Sequence, residues 1–261
     1  MNNRPAVDQL ARCWASLDDL FDQLGHEQWA TQSLCPDWTV RGVMVHLGAV
    51  EHMLRGKPPG SMAEALPFHE VGEWIEQVAS LSDGELLERY REVIAARREE
   101  LAAMSDDDFD LPCMTPVGPG TYGRFMDVRV FDFWVHEQDI RVPLGLLGHE
   151  DGSAAETAIH EVERSLGYIV GRKIGLPDGK SITIDLTGPI DRMFHVVVDG
   201  RAAQVDAIVA PDVTLRTDST TFALLACGRI DPQGPIDDGR VTWDGDAEWG
   251  ERAARNLAFT M

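Results

Sequence analysis

Two histidines and one aspartate carry the strongest chemical signal in this sequence. Asp132 and His136 lie four residues apart in the segment RVFDFWVHEQDIR, residues 129–141. Residues four apart share one face of an α-helix, so this carboxylate and this imidazole point the same way. Such a pair can bind a divalent ion such as zinc, which needs at least three protein ligands and, for catalysis, one open position. The best candidate for the third ligand is His46, in TVRGVMVHLGAV, residues 39–50.

Spacing alone leaves other interpretations of these residues open. An aspartate and a histidine four apart usually form a solvated pair, and a lone histidine among apolar residues is more often a hydrogen-bonded core residue. The flanking residues favour a metal site, because an apolar stripe lies beside the pair and His46 lies among valines and a leucine. Polar groups in such surroundings need partners. Spacing does not, however, join His46 to the pair.

A family resemblance joins them. The segments CPDWTVRGVMVHL, residues 35–47, and RVFDFWVHEQDIR resemble the two signatures of the mycothiol-dependent maleylpyruvate isomerase family. The amino-terminal domain of that family is a DinB-like four-helix bundle. The resemblance implies that His46, Asp132 and His136 hold a divalent metal, generally zinc. The characterised isomerase has glutamate at the position of Asp132, so the shorter aspartate must approach the ion more closely or bind it differently.

Asp139 is a further predicted site residue. It lies three residues after His136, in the HEQD run that matches the family signature. Histidines that bind a metal usually donate their second ring N–H to a carboxylate or carbonyl, and Asp139 could accept it. The alternative interpretation is an acid on the helix surface that pairs with Arg141.

An anionic substrate would also require a cation near the metal. The candidates are Arg129 on the metal-binding helix and Arg216 or Arg229 from the carboxyl-terminal part of the chain. Arg229 is the one that we predict to be catalytic, together with Asp139. Because Arg229 follows ALLACG, it could equally be a cation at the end of a helix.

The resemblance implies a reaction that uses mycothiol as a thiol cosubstrate. A free thiol has a pKa of about 8.5, whereas a thiol bound to zinc is deprotonated. The predicted reaction is therefore attack by the thiolate on a small electrophile, giving either cis-trans isomerisation or, with a leaving group, S-transfer. Two alternatives remain open. One is a hydrolase that uses zinc-bound water, and the other is a carrier that binds an apolar ligand around a structural metal.

Hydrophobic periodicity predicts the helices that position these residues. The predicted helices cover residues 6–24, 38–54, 69–104 in two pieces, and a metal-bearing segment that starts near 122–125. Asp37 or Thr39 can cap the second helix. Glu51 and His52 do not share the face of His46 and are predicted to lie at the surface or rim. The Glu/Arg pairs of residues 85–104 are predicted to form a solvated helix face.

Prolines and glycines predict loops at residues 55–68 and 105–123, and another helix is predicted at about 154–170. The pattern then changes to strands at 181–186 and 193–200. Residues 212–229 predict a strand, a capped turn and a short helix, and residues 241–261 predict a final strand and helix.

This carboxyl-terminal part resembles the sterol-carrier-like domain of the same family, through LTGPIDR, DVTLRTDSTTFALLACGR and WDGDAEWGERAARNLA. The predicted fold class is therefore α followed by α+β. The predicted domains are a metal-binding four-helix bundle at residues 1–172 and a small α+β domain at residues 173–261.

Composition sets the limits on partners and location. The chain has 44 acidic and 23 basic residues and a formal net charge of -21, which would repel nucleic acids and anionic membranes. The amino terminus shows no signal segment, and no stretch has the roughly twenty apolar residues of a membrane span. Four scattered cysteines are typical of reduced thiols. We predict a cytoplasmic protein whose substrate and oligomeric state stay open.

Overall fold

The computed structural model describes residues 4–260, and its contacts form two compact units. The first unit ends at His149 and the second begins at Glu150. The domain boundary predicted from the sequence follows residue 172, so the two divisions differ in how they assign residues 150–172. Among the described residues, no helix has the length and apolar character that crossing a membrane requires.

The first unit is a four-helix bundle with short helices around it. The long helices α1, α3, α5 and α7 form the bundle, because α1 and α3 each contact both α5 and α7. A turn of 3-10 helix covers Pro59–Met62. The helices of this unit are α1 (Arg4–Asp22), α2 (His26–Trp29), α3 (Val40–Leu54), α4 (His69–Val78), α5 (Asp83–Ala103), α6 (Asp106–Asp110) and α7 (Tyr122–Leu144). The predicted bundle and the split of its third helical segment are confirmed.

Local capping fixes where the two site helices begin. Thr39 precedes α3 and its side chain accepts a hydrogen bond from the Gly42 N–H, while Thr121 precedes α7 and accepts from the Arg124 N–H. Each cap satisfies one backbone donor that the first helical turn leaves unpaired. At the other end of α7, Gly145 takes the left-handed conformation (φ 67°) that commonly terminates helices.

A small β-hairpin lies where the sequence analysis predicts only a loop. Strands β1 (Pro112–Thr115) and β2 (Gly118–Thr121) pair antiparallel between α6 and α7. The prediction of a loop at residues 105–123 was therefore wrong for these two strands and for α6. The turn-forming prolines and glycines hid the hairpin, since they occupy both the turn and the strands themselves.

The second unit packs helices on a five-stranded sheet. Its strand order is β5-β4-β3-β6-β7, and only the β3–β6 pair is parallel. The strands are β3 (Ser181–Thr187), β4 (Arg192–Asp199), β5 (Arg201–Val205), β6 (Val213–Asp218) and β7 (Thr242–Gly245). The helices are α8 (Gly152–Arg164), α9 (Leu166–Tyr168), α10 (Ser219–Ala226), α11 (Gln233–Asp237) and α12 (Ala247–Arg255), with a π-helical turn at Ile169–Ile174.

The core of this unit is apolar. Ile182, Ile184 and Leu186 alternate along the central strand β3 with their side chains fully buried, while α10 contacts β3 and β6. Asp218 caps α10, as the predicted capped turn requires. The α+β class is confirmed, although β5 and α11 have no counterpart in the sequence predictions.

Candidate metal centre

The structure brings His46, Asp132 and His136 together. His46 comes from α3, and the other two lie one turn apart on α7, which packs against α3. His46 Nε2 lies 3.6 Å from Asp132 Oδ2, and His136 Nε2 lies 3.5 Å from Asp132 Oδ1. Tetrahedral zinc, with bonds of about 2.0–2.1 Å, places its ligand atoms about 3.3–3.4 Å apart. Both histidine–aspartate distances are therefore close to those of a zinc ligand set, and all three ligand atoms lie within 4.8 Å of one another.

The Nε2 atom of His46 has no hydrogen-bond partner among the described residues. This atom is buried, and its distance of 3.6 Å to Asp132 is too long for a hydrogen bond. Buried polar atoms are nearly always paired, so an orphaned imidazole nitrogen facing a carboxylate fits a metal ligand. Burial also lowers the pKa of His46, which favours the neutral imidazole that a metal binds.

Asp132 is held in its ionised form. Burial by itself raises the pKa of this carboxyl, but the Arg129 guanidinium and the His136 and His46 imidazoles outweigh burial and hold the pKa well below its usual range. Arg129 Nη1 contacts the Asp132 Oδ2 directly, which leaves Oδ1 facing His136. An ionised carboxylate is the form that binds a cation.

Asp139 contacts His136 from the side away from Asp132. Its Oδ2 lies 2.8 Å from His136 Nδ1, and both side chains are buried. Such a contact places the imidazole proton on Nδ1 and leaves Nε2 free to bind a metal. The alternative of a surface acid paired with Arg141 was wrong, because Asp139 is fully buried and Arg141 donates to Glu137 instead.

Cys35 adds a second group of possible ligands on the same histidine. Cys35, His136 and Asp139 also place ligand atoms within 4.8 Å of one another. These three already satisfy each other, because the Cys35 thiol donates to Asp139 Oδ2 at 3.1 Å and that oxygen also contacts His136. The geometry therefore favours a metal between His46, Asp132 and His136, with Cys35 and Asp139 supporting it.

Trp38 packs against both imidazoles, and the sequence analysis did not single it out. Its ring stacks on His46 at a centroid distance of 4.7 Å and an interplanar angle of 25°. It also lies 5.7 Å from the His136 ring. Trp38 is half-buried, so it restricts the orientation of the His46 ring at the edge of the site. Its only sequence signal is its place in the CPDWTV segment.

A buried charged cluster beside the metal centre corrects two predictions. Glu51, predicted to lie at the rim, is 1% exposed, and Arg97, predicted to belong to a solvated face, is 0% exposed. Glu51 accepts hydrogen bonds from Arg97 Nε at 3.0 Å and from Arg129 Nε at 2.9 Å. A sequence signal existed, because Glu51 follows Leu47 by four residues and Arg97 follows Val93 by four, which places both on apolar helix faces.

The predicted substrate-binding arginines have other partners. Arg129 is buried and bound to Glu51 and Asp132. In the second unit, Arg229 Nη1 donates to the Cys227 carbonyl just after α10, as a cation at a helix end would. Arg216 bridges Asp185 and Asp244 on the sheet surface. A role for Arg229 in catalysis stays a prediction.

Two family models match the chain. The "Mycothiol maleylpyruvate isomerase N-terminal domain" matches residues 10–141, and the "MDMPI C-terminal domain" matches residues 156–252. The first match includes His46, Asp132, His136 and Asp139. No curated protein sequence matches the chain.

Two solved structures share the fold of this chain. The crystal structures of a mycothiol-dependent maleylpyruvate isomerase and of its histidine-to-alanine variant each align over 95% of both chains, with a TM-score of 0.61 and 14% identity. At this identity the likeness concerns the fold alone. The sterol carrier protein domain 2 of Helicoverpa armigera aligns with 41% of this chain and 93% of its own, at 16% identity and a TM-score of 0.26, too low to support an argument.

Proposed function

Because this chain belongs to the mycothiol maleylpyruvate isomerase family through both of its domains, we propose that it is a metal-dependent enzyme that uses mycothiol. Its substrate would be a small electrophile, and the reaction an isomerisation or an S-transfer. The observation that carries the proposal is the convergence of His46, Asp132 and His136, with the buried Nε2 of His46 left without a hydrogen-bond partner.

Each residue of the site has a distinct task in this proposal. His46 and His136 would bind the ion through Nε2, and Asp132 would bind it through its carboxylate. Asp139 keeps the second nitrogen of His136 hydrogen-bonded, and Trp38 stacks on His46, so both imidazoles are held before any ion arrives. Two neutral imidazoles and one carboxylate are a ligand set that zinc accepts, with a fourth position open.

Zinc in this site would keep the thiol of mycothiol deprotonated at neutral pH and so supply the nucleophile. Addition to a conjugated double bond, rotation and release of the thiol would isomerise a substrate such as maleylpyruvate. Attack with loss of a leaving group would instead transfer the thiol to the substrate. Small thiols stay reduced in the cytoplasm, which agrees with the cytoplasmic location that the sequence predicts.

Two of the chain's four thiols, Cys13 and Cys113, are poor candidates for the nucleophile. Burial raises the pKa of the Cys113 thiol to about 11. Burial and the nearby Glu137 carboxylate raise the pKa of the Cys13 thiol further still. Both stay protonated near neutral pH, and a protonated thiol is a poor nucleophile.

The direct test is the isomerisation of maleylpyruvate, followed by absorbance with and without mycothiol and before and after removal of metal. We expect turnover only with both present, restored by zinc after chelation. The matched control is Cys113→Ser, which removes a buried thiol that belongs to neither group of possible ligands and should keep full activity. Turnover that is indifferent to mycothiol would instead favour the hydrolase, and an enzyme unaffected by metal removal would contradict the proposal.

A further inference from the structure

A chain of buried charges connects three bundle helices to the metal centre. We infer that Glu51 is a positioning residue that acts through Arg129 to set the orientation and the charge environment of Asp132. This inference rests on the proposed metal site and extends it to Glu51, which is hydrogen-bonded to Arg97 and Arg129 rather than to a proposed ligand. Glu51 lies on α3, while Arg129 and Asp132 lie on α7.

Consecutive polar contacts connect Arg97 to Asp132 through Glu51 and Arg129. Glu51 uses both carboxylate oxygens, because Oε2 accepts from Arg97 Nε and Oε1 accepts from Arg129 Nε. Arg129 uses a different guanidinium nitrogen, Nη1, to donate to Asp132 Oδ2. The planar guanidinium can hold two carboxylates at fixed angles, which a flexible ammonium cannot do.

This contact fixes the plane of the Asp132 carboxylate. Arg129 binds Oδ2, which also lies 3.6 Å from His46 Nε2, while Oδ1 lies 3.5 Å from His136 Nε2. The aspartate side chain has few rotatable bonds, and fixing one of its oxygens fixes the position of the other. Asp132 is thus held with one carboxylate oxygen beside each of the two proposed histidine ligands.

The balance of buried charge beside Asp132 requires Glu51 as well as Arg129. A guanidinium bound to Asp132 repels a divalent cation on the same carboxylate, and inside a protein such repulsion is weakly screened. Glu51 supplies the compensating negative charge, and Arg97 on the far side of Glu51 is balanced in turn by Glu100 at 2.7 Å. Without Glu51, two buried arginines would share that region with too little opposing charge.

The experiment measures zinc affinity by competition with a chelator and the visible spectrum of the cobalt-substituted protein. Groups that hold metal ligands in place typically change affinity by about 10–100-fold when altered, and we expect this loss for Glu51→Gln, with a changed cobalt spectrum. The matched control is Glu100→Gln, which removes a carboxylate from the same arginine cluster on the side away from Asp132. It should stay within about twofold of wild type.

A second variant separates geometry from charge and covers the case in which Glu51→Gln does not fold. Arg129→Lys keeps the positive charge but cannot hold Glu51 and Asp132 together, so it should also weaken zinc binding and alter the cobalt spectrum. Circular dichroism of each metal-free variant identifies those that are folded. Wild-type affinity and spectrum in folded Glu51→Gln or Arg129→Lys would overturn the inference.

Different results would contradict the proposed function and the positioning role of Glu51. If wild-type protein does not hold zinc through His46, the proposed function itself is wrong. If zinc binding depends on His46 but is unaffected by changes at Glu51 and Arg129, only the positioning role is wrong.

Discussion

The two units of this molecule place their charged groups differently. The bundle buries charged side chains, among them Glu51, Arg97, Arg129, Glu137 and Asp139. In the second unit the buried polar groups are mostly hydroxyls, with Glu161 the charged exception among the described residues. Its ion pairs, such as Lys180–Asp212 and Arg240–Asp238, are at least partly exposed.

This difference indicates what each unit is built to do. Burying a charge costs more free energy than a partner commonly returns, so a buried and fully paired cluster is weak evidence for stability. In the bundle, two of these buried charged residues contact proposed metal ligands, since Arg129 binds Asp132 and Asp139 binds His136. The second unit gains its stability from apolar packing on β3, which requires no precise arrangement of charges.

The largest effect that this comparison predicts concerns Glu137. This fully buried carboxylate contacts Ser16 Oγ at 2.6 Å, Arg141 Nε at 2.6 Å and His149 Nδ1 at 2.7 Å. Glu137→Gln leaves Arg141 without its charged partner and should destabilise the bundle by about 3–5 kcal/mol, as breaking buried pairs does. Hydrogen exchange of peptides from α7 measures the loss.

Asp18→Asn is the control for Glu137→Gln. Asp18 accepts from Arg91 Nε at 2.6 Å, but its side chain is 43% exposed. Removing an exposed ion pair should cost only about 0.2–1 kcal/mol. Equal losses in the two variants would remove the distinction between buried and exposed charge in this unit.

The corresponding change in the second unit removes apolar volume. Ile184 is fully buried on β3, and Ile184→Ala should destabilise the sheet by about 2–5 kcal/mol through lost burial and a residual cavity. Met193→Ala, on the neighbouring strand at a position that is 58% exposed, should change stability far less. Peptide-resolved hydrogen exchange of β3 and β4 distinguishes them, and a small loss at Ile184 would contradict an apolar origin of stability.

Acid should weaken the second unit through Asp212. The Lys180 ammonium, followed by hydrogen bonds from Ser181, lowers the pKa of the Asp212 carboxyl in the folded state, while burial opposes it. Its contribution is therefore fully present above the unfolded pKa of about 3.9 and is lost as pH falls through the folded pKa. Unfolding followed between pH 2 and pH 7 should show wild type and Asp212→Asn converging at the acid end. Parallel curves would contradict this linkage.

The smallest predicted effect belongs to the sheet surface. Arg216 Nε donates to Asp185 at 3.1 Å, and the Arg216 side chain is 43% exposed. Arg216→Ala should cost about 0.2–1 kcal/mol and less at high salt. A larger, salt-independent loss would mean that charge matters more to this unit than its burial pattern suggests.

Local sequence signals were sufficient to predict the long helices and four of the five strands of the second unit's sheet, but not the short helices α2, α6 and α11. Periodic apolar residues and capping side chains, such as Thr39 and Asp218, mark element boundaries through interactions within a few residues. The hairpin β1–β2 was missed because its proline and glycine residues favour turns and its pairing depends on context.

In the candidate site, too, contacts within one helix could be predicted from the sequence, whereas contacts between helices could not. The pairing of Asp132 with His136 follows from helical spacing. The contact of this pair with His46 depends on how α3 packs on α7, and it was predicted only from the family resemblance. Glu51 and Arg97 were misplaced because charge was given more weight than their positions on apolar helix faces. Burial of a charge depends on partners from other helices, and those partners are distant in sequence.

Zinc binding by single-histidine variants tests most directly whether His46, Asp132 and His136 form one metal site. His46→Ala removes a proposed ligand, while His52→Ala removes a half-buried histidine from the same helix that belongs to no described ligand cluster. We predict that wild type and His52→Ala bind one zinc per chain with similar affinity and that His46→Ala binds more than about a hundredfold more weakly. Wild-type zinc affinity in His46→Ala would contradict the account.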